Sequence, residues 1–313
     1  MQVVVVGSGY SGTLVANRVA RKVKDAEVTV INPRPDFVER VRLHQQIAGT
    51  YSAATPLAEV LREGITARVG TVDKIGEGTV ALADGERIDF DYAFLAVGST
   101  VSPIPGTVPV GTWEGAQQAR AALAALTAGD HVTVIGGGPT GIETAAEIAE
   151  ARPDLRVRLI GSSVGGGLSS GAHRRVRAGL ERLTVEIIDD EVAEVGSGAT
   201  DIVRLRSGRE MASDLTLWAI VSGVPDLAAR SGLEVDVRGR AVVDEFLRSV
   251  SDQRIFAVGD CAAVPGARFA CYTAYRRPFT PPTTSLACSR AASPNRIPSR
   301  TSAAASRWAG RTR

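Results

Sequence analysis

The 313-residue sequence predicts an α/β protein made of two parallel-sheet domains, the second inserted in the first. Two observations carry this. A glycine-rich turn between an apolar strand and a small-residue helix occurs twice, at VVVVGSGYSGTLVANRVA (3–20) and VTVIGGGPTGIETAAEIA (132–149). Each copy is then followed by the same succession of a second short strand, a β-rich stretch and a return strand.

The opening runs Val3–Val6 and Val132–Ile135 are short, apolar and β-branched, as a strand buried on both faces requires. VTVIN (28–32) and VRLIG (157–161) complete each unit of about 30 residues, the length of a strand-helix-strand crossover. The stretches 67–98 and 186–221 read as meanders that feed back into a parallel strand, with Asp84-Gly85 and Ser207-Gly208 as hairpin turns at corresponding places. Pro103, Pro105, Gly106 and Pro109 form a stiff connector, and the run from Val242 to Asp260 reads as a return to the first sheet. The expected division is 1–110 with 241–275 as one domain and 111–240 as the other.

Composition narrows the function classes. With 44% hydrophobic and 22% charged residues the chain can bury a large core, and no apolar run reaches the ~18 residues of a membrane helix. Met1 leads straight into a strand with no signal-peptide pattern, so a cytoplasmic protein is expected. Cys261, Cys271 and Cys288 lack disulfide-framework or zinc spacing, and His44, His131 and His173 lack ligand spacing, so no metal is expected. The net charge of +2 conceals eight arginines and no acid in 276–313, which leaves 1–275 at −6 and without a general pull toward nucleic acid or anionic lipid. The 276–313 segment has no periodicity and cannot bury a core, and is read as a disordered tail. A basic arm is the alternative, and out-of-frame translation of a GC-rich gene is the sharper hypothesis for its origin.

Gly7, Gly9 and Gly12 have the G-x-G-x-x-G spacing: the first allows the tight turn, the second the approach of a pyrophosphate, the third close helix packing. With Ser8, Tyr10 and Ser11 they place backbone N–H groups and the helix dipole against phosphate charge. Gly136, Gly138 and Gly141 repeat the pattern, with Thr140 in the turn and Pro139 tolerated in the first helical turn. Two turns imply two dinucleotides. The acid expected about 20 residues beyond the third glycine is absent from both copies: Asn32 offers a neutral acceptor in the first, and Gly161 offers none in the second. Without that anion a 2′-phosphate is not repelled, so NADPH is admitted beside NADH and slightly favoured, with Arg174 or Arg175 as its cationic partner. Glu143 sits in the first turn of the second helix, where it either complements the dipole or contacts the nicotinamide ribose.

With VVVVGSGYSG, FDYAFLAVGS (90–99), GGGPTGIE (136–143), LWAIVSGVPD (217–226) and RGRAVVDEFLRSVSDQRIFAVGDCA (238–262), the chain resembles the flavoproteins with two dinucleotide-binding domains. The resemblance is closest to type II NADH dehydrogenases and apoptosis-inducing-factor-like oxidoreductases. It implies two Rossmann-like domains, the first taking the ADP half of FAD and the second NAD(P)H, with hydride passing to the flavin and electrons to a quinone or other small acceptor. Asp260, after Gly259, would hydrogen-bond the ribityl chain or pyrophosphate; Gly98 would border the flavin, the backbone of Val72 would touch adenine, and His44 or Gln45 would border the isoalloxazine or lie on an ordinary surface helix. The disulfide-reductase branch is excluded because no cysteine precedes Cys261, itself read as a small buried residue. The family's small C-terminal domain has no counterpart after Ala274, so peripheral membrane contact is not supported. A flavin reductase serving a redox protein or oxygenase and a truncated, non-catalytic cofactor-binding protein are the alternatives, with a homodimer admitted.

Overall fold

The computed structural model describes residues 1–196 and 201–265; the 276–313 segment lies outside the described residues, as do Cys271 and Cys288. Strands β1 (Gln2–Val6) and β2 (Glu27–Asn32) flank helix α1 (Tyr10–Lys22), and helix α2 (Leu43–Ala48) follows. Strand β3 (Thr66–Val69), the meander β4 (Val72–Gly76), β5 (Thr79–Leu82) and β6 (Arg87–Asp89), and the return strand β7 (Tyr92–Leu95) complete the first half. The second half repeats the plan. After helix α3 (Trp113–Ala125) come β8 (His131–Ile135), α4 (Pro139–Ala151), β9 (Arg156–Gly161), α5 (Ser170–Arg182) and β10 (Glu186–Asp189). The second meander is β11 (Val192–Gly196), β12 (Asp201–Leu205) and β13 (Glu210–Ser213), and the return strand is β14 (Leu215–Trp218).

Both central sheets are parallel and have the same order. In the first, β15 (Ile255–Ala257), β7, β1, β2 and β3 lie side by side; in the second, a two-residue strand Val108–Pro109 precedes β14, β8, β9 and β10. Strand β15 joins the first sheet through Ile255 opposite Ala93 and Ala257 opposite Leu95, more than 150 residues along the chain. The Val108–Pro109 strand pairs with Leu217 and Trp218 of the second sheet, just before the division expected at 110. Gly85 and Gly208, at the two hairpins, have φ of +91° and +87°, the left-handed region where glycine avoids steric strain.

The four valines of β1 alternate between two cores. Val3 and Val5 pack with Ala16 and Val19 of α1, and Val4 and Val6 pack with Ile75, Val80 and Leu82 of the meander. A strand covered on both faces has no polar positions to spare, which is why its sequence is continuous rather than alternating. In the second half Val132 and Val134 face the helices and Ile135 faces the second meander. Helix α2 belongs by sequence to the first half, yet Leu43 and Ile47 lie in the core formed by Ala116 and Ala119 of α3 and Ala145 and Ala149 of α4. This apolar seam ties the halves together and sets the face of α2 that carries His44.

Two buried threonines interrupt the apolar pattern. Thr133 of β8 and Thr216 of β14 are register partners, both buried, and neither hydroxyl has a hydrogen-bond partner among the described residues. An unsatisfied buried hydroxyl destabilises by about 1–3 kcal/mol, so Thr133→Val and Thr216→Val should each raise stability by about 1 kcal/mol. Urea midpoints of the single and double variants measure this; unchanged or lower midpoints would show that the hydroxyls are hydrogen-bonded in solution.

Candidate functional site

The two glycine turns have the same construction. The Gly7 N–H donates to the Ile31 carbonyl at 2.8 Å and the Gly136 N–H to the Ile160 carbonyl at 2.7 Å, so each turn is pinned to the end of the second strand. A β-carbon on Gly12 would overlap the Gly7 carbonyl oxygen, and one on Gly141 would overlap the Gly136 carbonyl oxygen. Gly7, at φ +97°, would meet the Ala96 carbonyl oxygen at 2.6 Å, and Gly136, at φ +133°, the Ala219 oxygen at 3.1 Å. The middle glycines differ: a β-carbon on Gly9 or Gly138 would meet no protein atom within 4 Å. The outer glycines are therefore demanded by the fold, whereas the middle ones face open space at a helix start.

Around the first turn, the Ser8 N–H donates to Asn32 Oδ1 at 3.2 Å, and Asn32 Nδ2 donates to the Arg34 carbonyl at 2.8 Å. Asn32 is only 7% exposed, so its amide oxygen, expected to face a ribose, also serves the turn itself. The Gly70 N–H donates to the Asn32 carbonyl at 2.9 Å, which brings the buried Val72 at the head of β4 beside the same strand end. Tyr10 packs edge-on against Phe37, with ring centroids 5.2 Å apart. Gly259, at φ +76°, lies against Ser11: a β-carbon there would be 2.6 Å from Ser11 Oγ. Asp260 thus enters the site from the far end of the chain, and Gly98, at φ +69°, lies in open space near it.

Asp260 is held by residues that the sequence reading did not single out. Ser99 Oγ donates to Asp260 Oδ2 at 2.7 Å. Arg40 Nη1 donates to both the Ser99 carbonyl and Ser99 Oγ at 2.8 Å, and Arg40 Nε donates to the Gly111 carbonyl at 2.8 Å. Arg40 Nη2 is buried with no partner among the described residues. Burial lowers the pKa of the Arg40 guanidinium and Asp260 pushes against that shift, leaving a fixed cation beside a carboxylate. The local stretch FVERVRL, with Glu39 and Arg42 beside Arg40, does not single Arg40 out, since its partners lie 59 to 71 residues away.

In the second turn Pro139 begins α4 with Gly138 as N-cap, and the Thr140 carbonyl accepts from Thr144 Oγ1 at 2.7 Å. Gly161 ends β9 against the turn, where a β-carbon would be 2.5 Å from the Gly137 nitrogen. Glu143 lies across the seam from α2, with its Oε2 4.0 Å from His44 Nδ1, too long for a hydrogen bond. Burial raises the Glu143 pKa, and burial lowers that of His44, with Glu147 opposing and Arg42 adding to the His44 shift. Both groups are driven toward their uncharged forms. His131 lies near Asp214 and His173 on α5, so the three histidines do not converge. Cys261 is buried, its thiol pushed up to about 11 by burial, with Sγ 3.3 Å from the Leu95 and Val258 carbonyls.

Two such turns, each at the C-terminal end of a five-stranded parallel sheet with a meander above it, define a protein with paired dinucleotide cradles. The family model described as pyridine nucleotide-disulphide oxidoreductase matches residues 1–291, and the chain belongs to that family, whose members are FAD-dependent with NAD(P)H as substrate. The match runs past Arg276 into the segment set apart as a tail. An NADH dehydrogenase-like protein of Mycobacterium tuberculosis is 31% identical over 297 residues, covering 84% of this chain and 73% of that protein. Rhodocoxin reductase of Rhodococcus erythropolis is 26% identical, covering 85% of this chain and 66% of that one. Among solved structures, a NAD-dependent persulfide reductase from A. fulgidus superposes with a TM-score of 0.73 at 24% identity, covering 84% of this chain and 53% of that chain. NDH2 from Plasmodium falciparum superposes with a TM-score of 0.70 at 19% identity, covering 83% and 64%. The chain thus spans about half to two thirds of these structural neighbours. Among the described residues no helix is long and apolar enough to cross a membrane.

The glycine geometry separates folding from binding. Gly12→Ala and Gly141→Ala should destabilise the protein by on the order of 2 kcal/mol or more, while Gly138→Ala should leave the thermal midpoint unchanged and weaken nucleotide binding. Melting curves beside nucleotide titrations test the contrast, and a Gly138→Ala protein that melts early would contradict the open-space reading. For His44 the folded pKa is depressed, so its stabilising contribution is present above the unfolded value near 6.5 and is lost as pH falls through that value toward the folded pKa. Denaturation midpoints of the parent should therefore drop below pH 6.5 more steeply than those of His44→Gln, and parallel curves would assign the acid sensitivity to other groups.

Proposed function

We propose that the chain is an FAD-dependent NAD(P)H oxidoreductase that passes hydride from the nicotinamide to the flavin and electrons on to a small acceptor such as a quinone. The observation that carries this reading is the open space over Gly9 and Gly138, framed by outer glycines that the fold itself demands. A β-carbon would fill that space in both cradles, and Arg40 Nη2 is a buried donor awaiting an acceptor beside the first. The residues therefore fit an FAD in the cradle of Gly7, Ser8, Gly9, Tyr10, Ser11 and Gly12. Asn32 and the Val72 backbone stand toward the adenosine end, and Gly98, Gly259 and Asp260 toward the flavin end. Gly136, Gly138, Pro139, Thr140, Gly141, Glu143 and Gly161 fit the second nucleotide, and the proposed domains are 1–110 with 241–275 and 111–240.

Bound there, FAD supplies the two-electron acceptor that no side chain of this chain can replace. The protein's own part is placement. Backbone N–H groups at the starts of α1 and α4 hold phosphate charge. Asp260, oriented by the Ser99 hydroxyl that Arg40 in turn holds, offers its carboxylate oxygens to sugar or ribityl hydroxyls. The apolar seam of α2 with α3 and α4 fixes the distance between the cradles, which hydride transfer requires to be short.

Similarity to rhodocoxin reductase favours a second reading, in which the acceptor is a redox protein. The purified protein should carry a visible flavin band that bleaches anaerobically with NADH or NADPH, and reoxidation by a quinone against reoxidation by a ferredoxin-like protein separates the two acceptors. Protein that stays colourless after incubation with FAD would sink the enzyme reading and leave a non-catalytic nucleotide binder. Asp260→Ala should lower FAD affinity roughly tenfold or more, as loss of a hydrogen bond to a charged group does, measured by flavin retention on desalting.

A further inference from the structure

The strand that leads to the adenosine end of the second cradle carries no carboxylate at its last position, and the fold explains why. Gly161 closes β9 directly against the turn, where a β-carbon would be 2.5 Å from the Gly137 nitrogen and 2.7 Å from its Cα. No side chain fits there, an acid included. The residue in register with Gly161 on the next strand is Asp189, whose charge is already spent within the protein. Its Oδ1 accepts from the Val164 N–H at 3.0 Å, and its Oδ2 lies 2.9 Å from Arg177 Nη1.

The groups that follow this strand end along the chain are donors. The exposed Ser162 and Ser163 follow Gly161, and neither hydroxyl has a hydrogen-bond partner among the described residues. The loop then folds back over the turn, with the Gly165 N–H donating to the Gly137 carbonyl at 2.8 Å. The His173 ring packs on that loop: a β-carbon on Gly165 would be 3.1 Å from its Cδ2 and 4.0 Å from its Nε2. Arg174 and Arg175 follow on α5, exposed and without an ion pair among the described residues.

A ribose 2′-hydroxyl is recognised by a charged acceptor and a 2′-phosphate by hydroxyl, imidazole and guanidinium donors in a site free of anions. The geometry points to a 2′-phosphorylated nicotinamide nucleotide, NADPH, as the ligand of the second cradle. Ser162, His173 and the Arg174-Arg175 pair are its specificity determinants. This rests on the reading of the second turn as the NAD(P)H site and names which of the two nucleotides that site selects.

The test uses a ligand pair that differs only in the 2′-phosphate. The FAD-saturated protein is titrated calorimetrically with adenosine 2′,5′-bisphosphate and with adenosine 5′-monophosphate. The bisphosphate is expected to bind about tenfold tighter or more, as charge-assisted recognition of an added phosphate allows. Ser162→Asp, at an exposed position that leaves packing untouched, should remove that preference, because its carboxylate repels the 2′-phosphate and offers the monophosphate's 2′-hydroxyl a charged acceptor. Arg174→Ala with Arg175→Ala should bring the two affinities close together, and melting curves confirm that each variant is folded. Equal binding of the two ligands, or tighter binding of the monophosphate, overturns the proposal and leaves the cradle reading standing. A preference that survives Ser162→Asp and the double arginine variant also overturns it, and binding of neither ligand removes the cradle reading as well.

Discussion

The approach of the Gly12 Cα to the Gly7 carbonyl, repeated between Gly141 and Gly136, is the constraint on which the remaining architecture depends. Without side chains at these positions α1 and α4 lie directly on their sheets and begin where β1 and β8 end. That placement leaves the first N–H groups of each helix without intrahelical partners, pointing out over the strand ends. It also leaves the middle glycine of each turn open at a helix start, a place that favours a group with negative charge.

The halves are locked together by contacts that neither half could make alone. Leu43 and Ile47 from the first half complete the core of the second, and the chain's outward and return crossings bond to each other where the Thr100 N–H donates to the Gly223 carbonyl at 2.8 Å. Arg40 reaches both Ser99, at the start of the outward crossing, and Gly111, at its end. One guanidinium therefore ties the connector to the Asp260 carboxylate through Ser99. Displacing any of these groups would move Asp260 relative to the first turn as well as one half relative to the other.

What the sequence disclosed follows from the range over which its signals act. The strand-turn-helix units, the meanders and the hairpin glycines at 85 and 208 are local patterns, and each is present. The return of 255–257 to the first sheet was legible because a short apolar strand needs a parallel partner with both faces covered. Arg40, Ser99 and the facing of His44 on Glu143 were not, because their meaning lies in partners 59, 161 and 99 residues away. Gly161 shows a partial success: the missing acid was visible, but its cause, the Gly137 backbone pressed against the strand end, exists only in three dimensions. Asn32 shows the converse, since its neutral amide reads as a weakened ribose acceptor until Ser8 is seen donating to it.

The two cradles also differ in how they treat charge. Beside the first, a guanidinium and a carboxylate are kept together through Ser99, which would suit the non-exchanging flavin proposed for that cradle. Across the seam at the second, burial pushes the His44 pKa down and the Glu143 pKa up, so both shift away from their charged forms. A nicotinamide gains a positive charge when it gives up hydride, and a fixed charge at that seam would bind one redox form at the expense of the other. Under the proposed assignment the electrostatic attraction lies instead at the glycine turn and at the donors that follow Gly161, whose targets would be the same before and after the reaction.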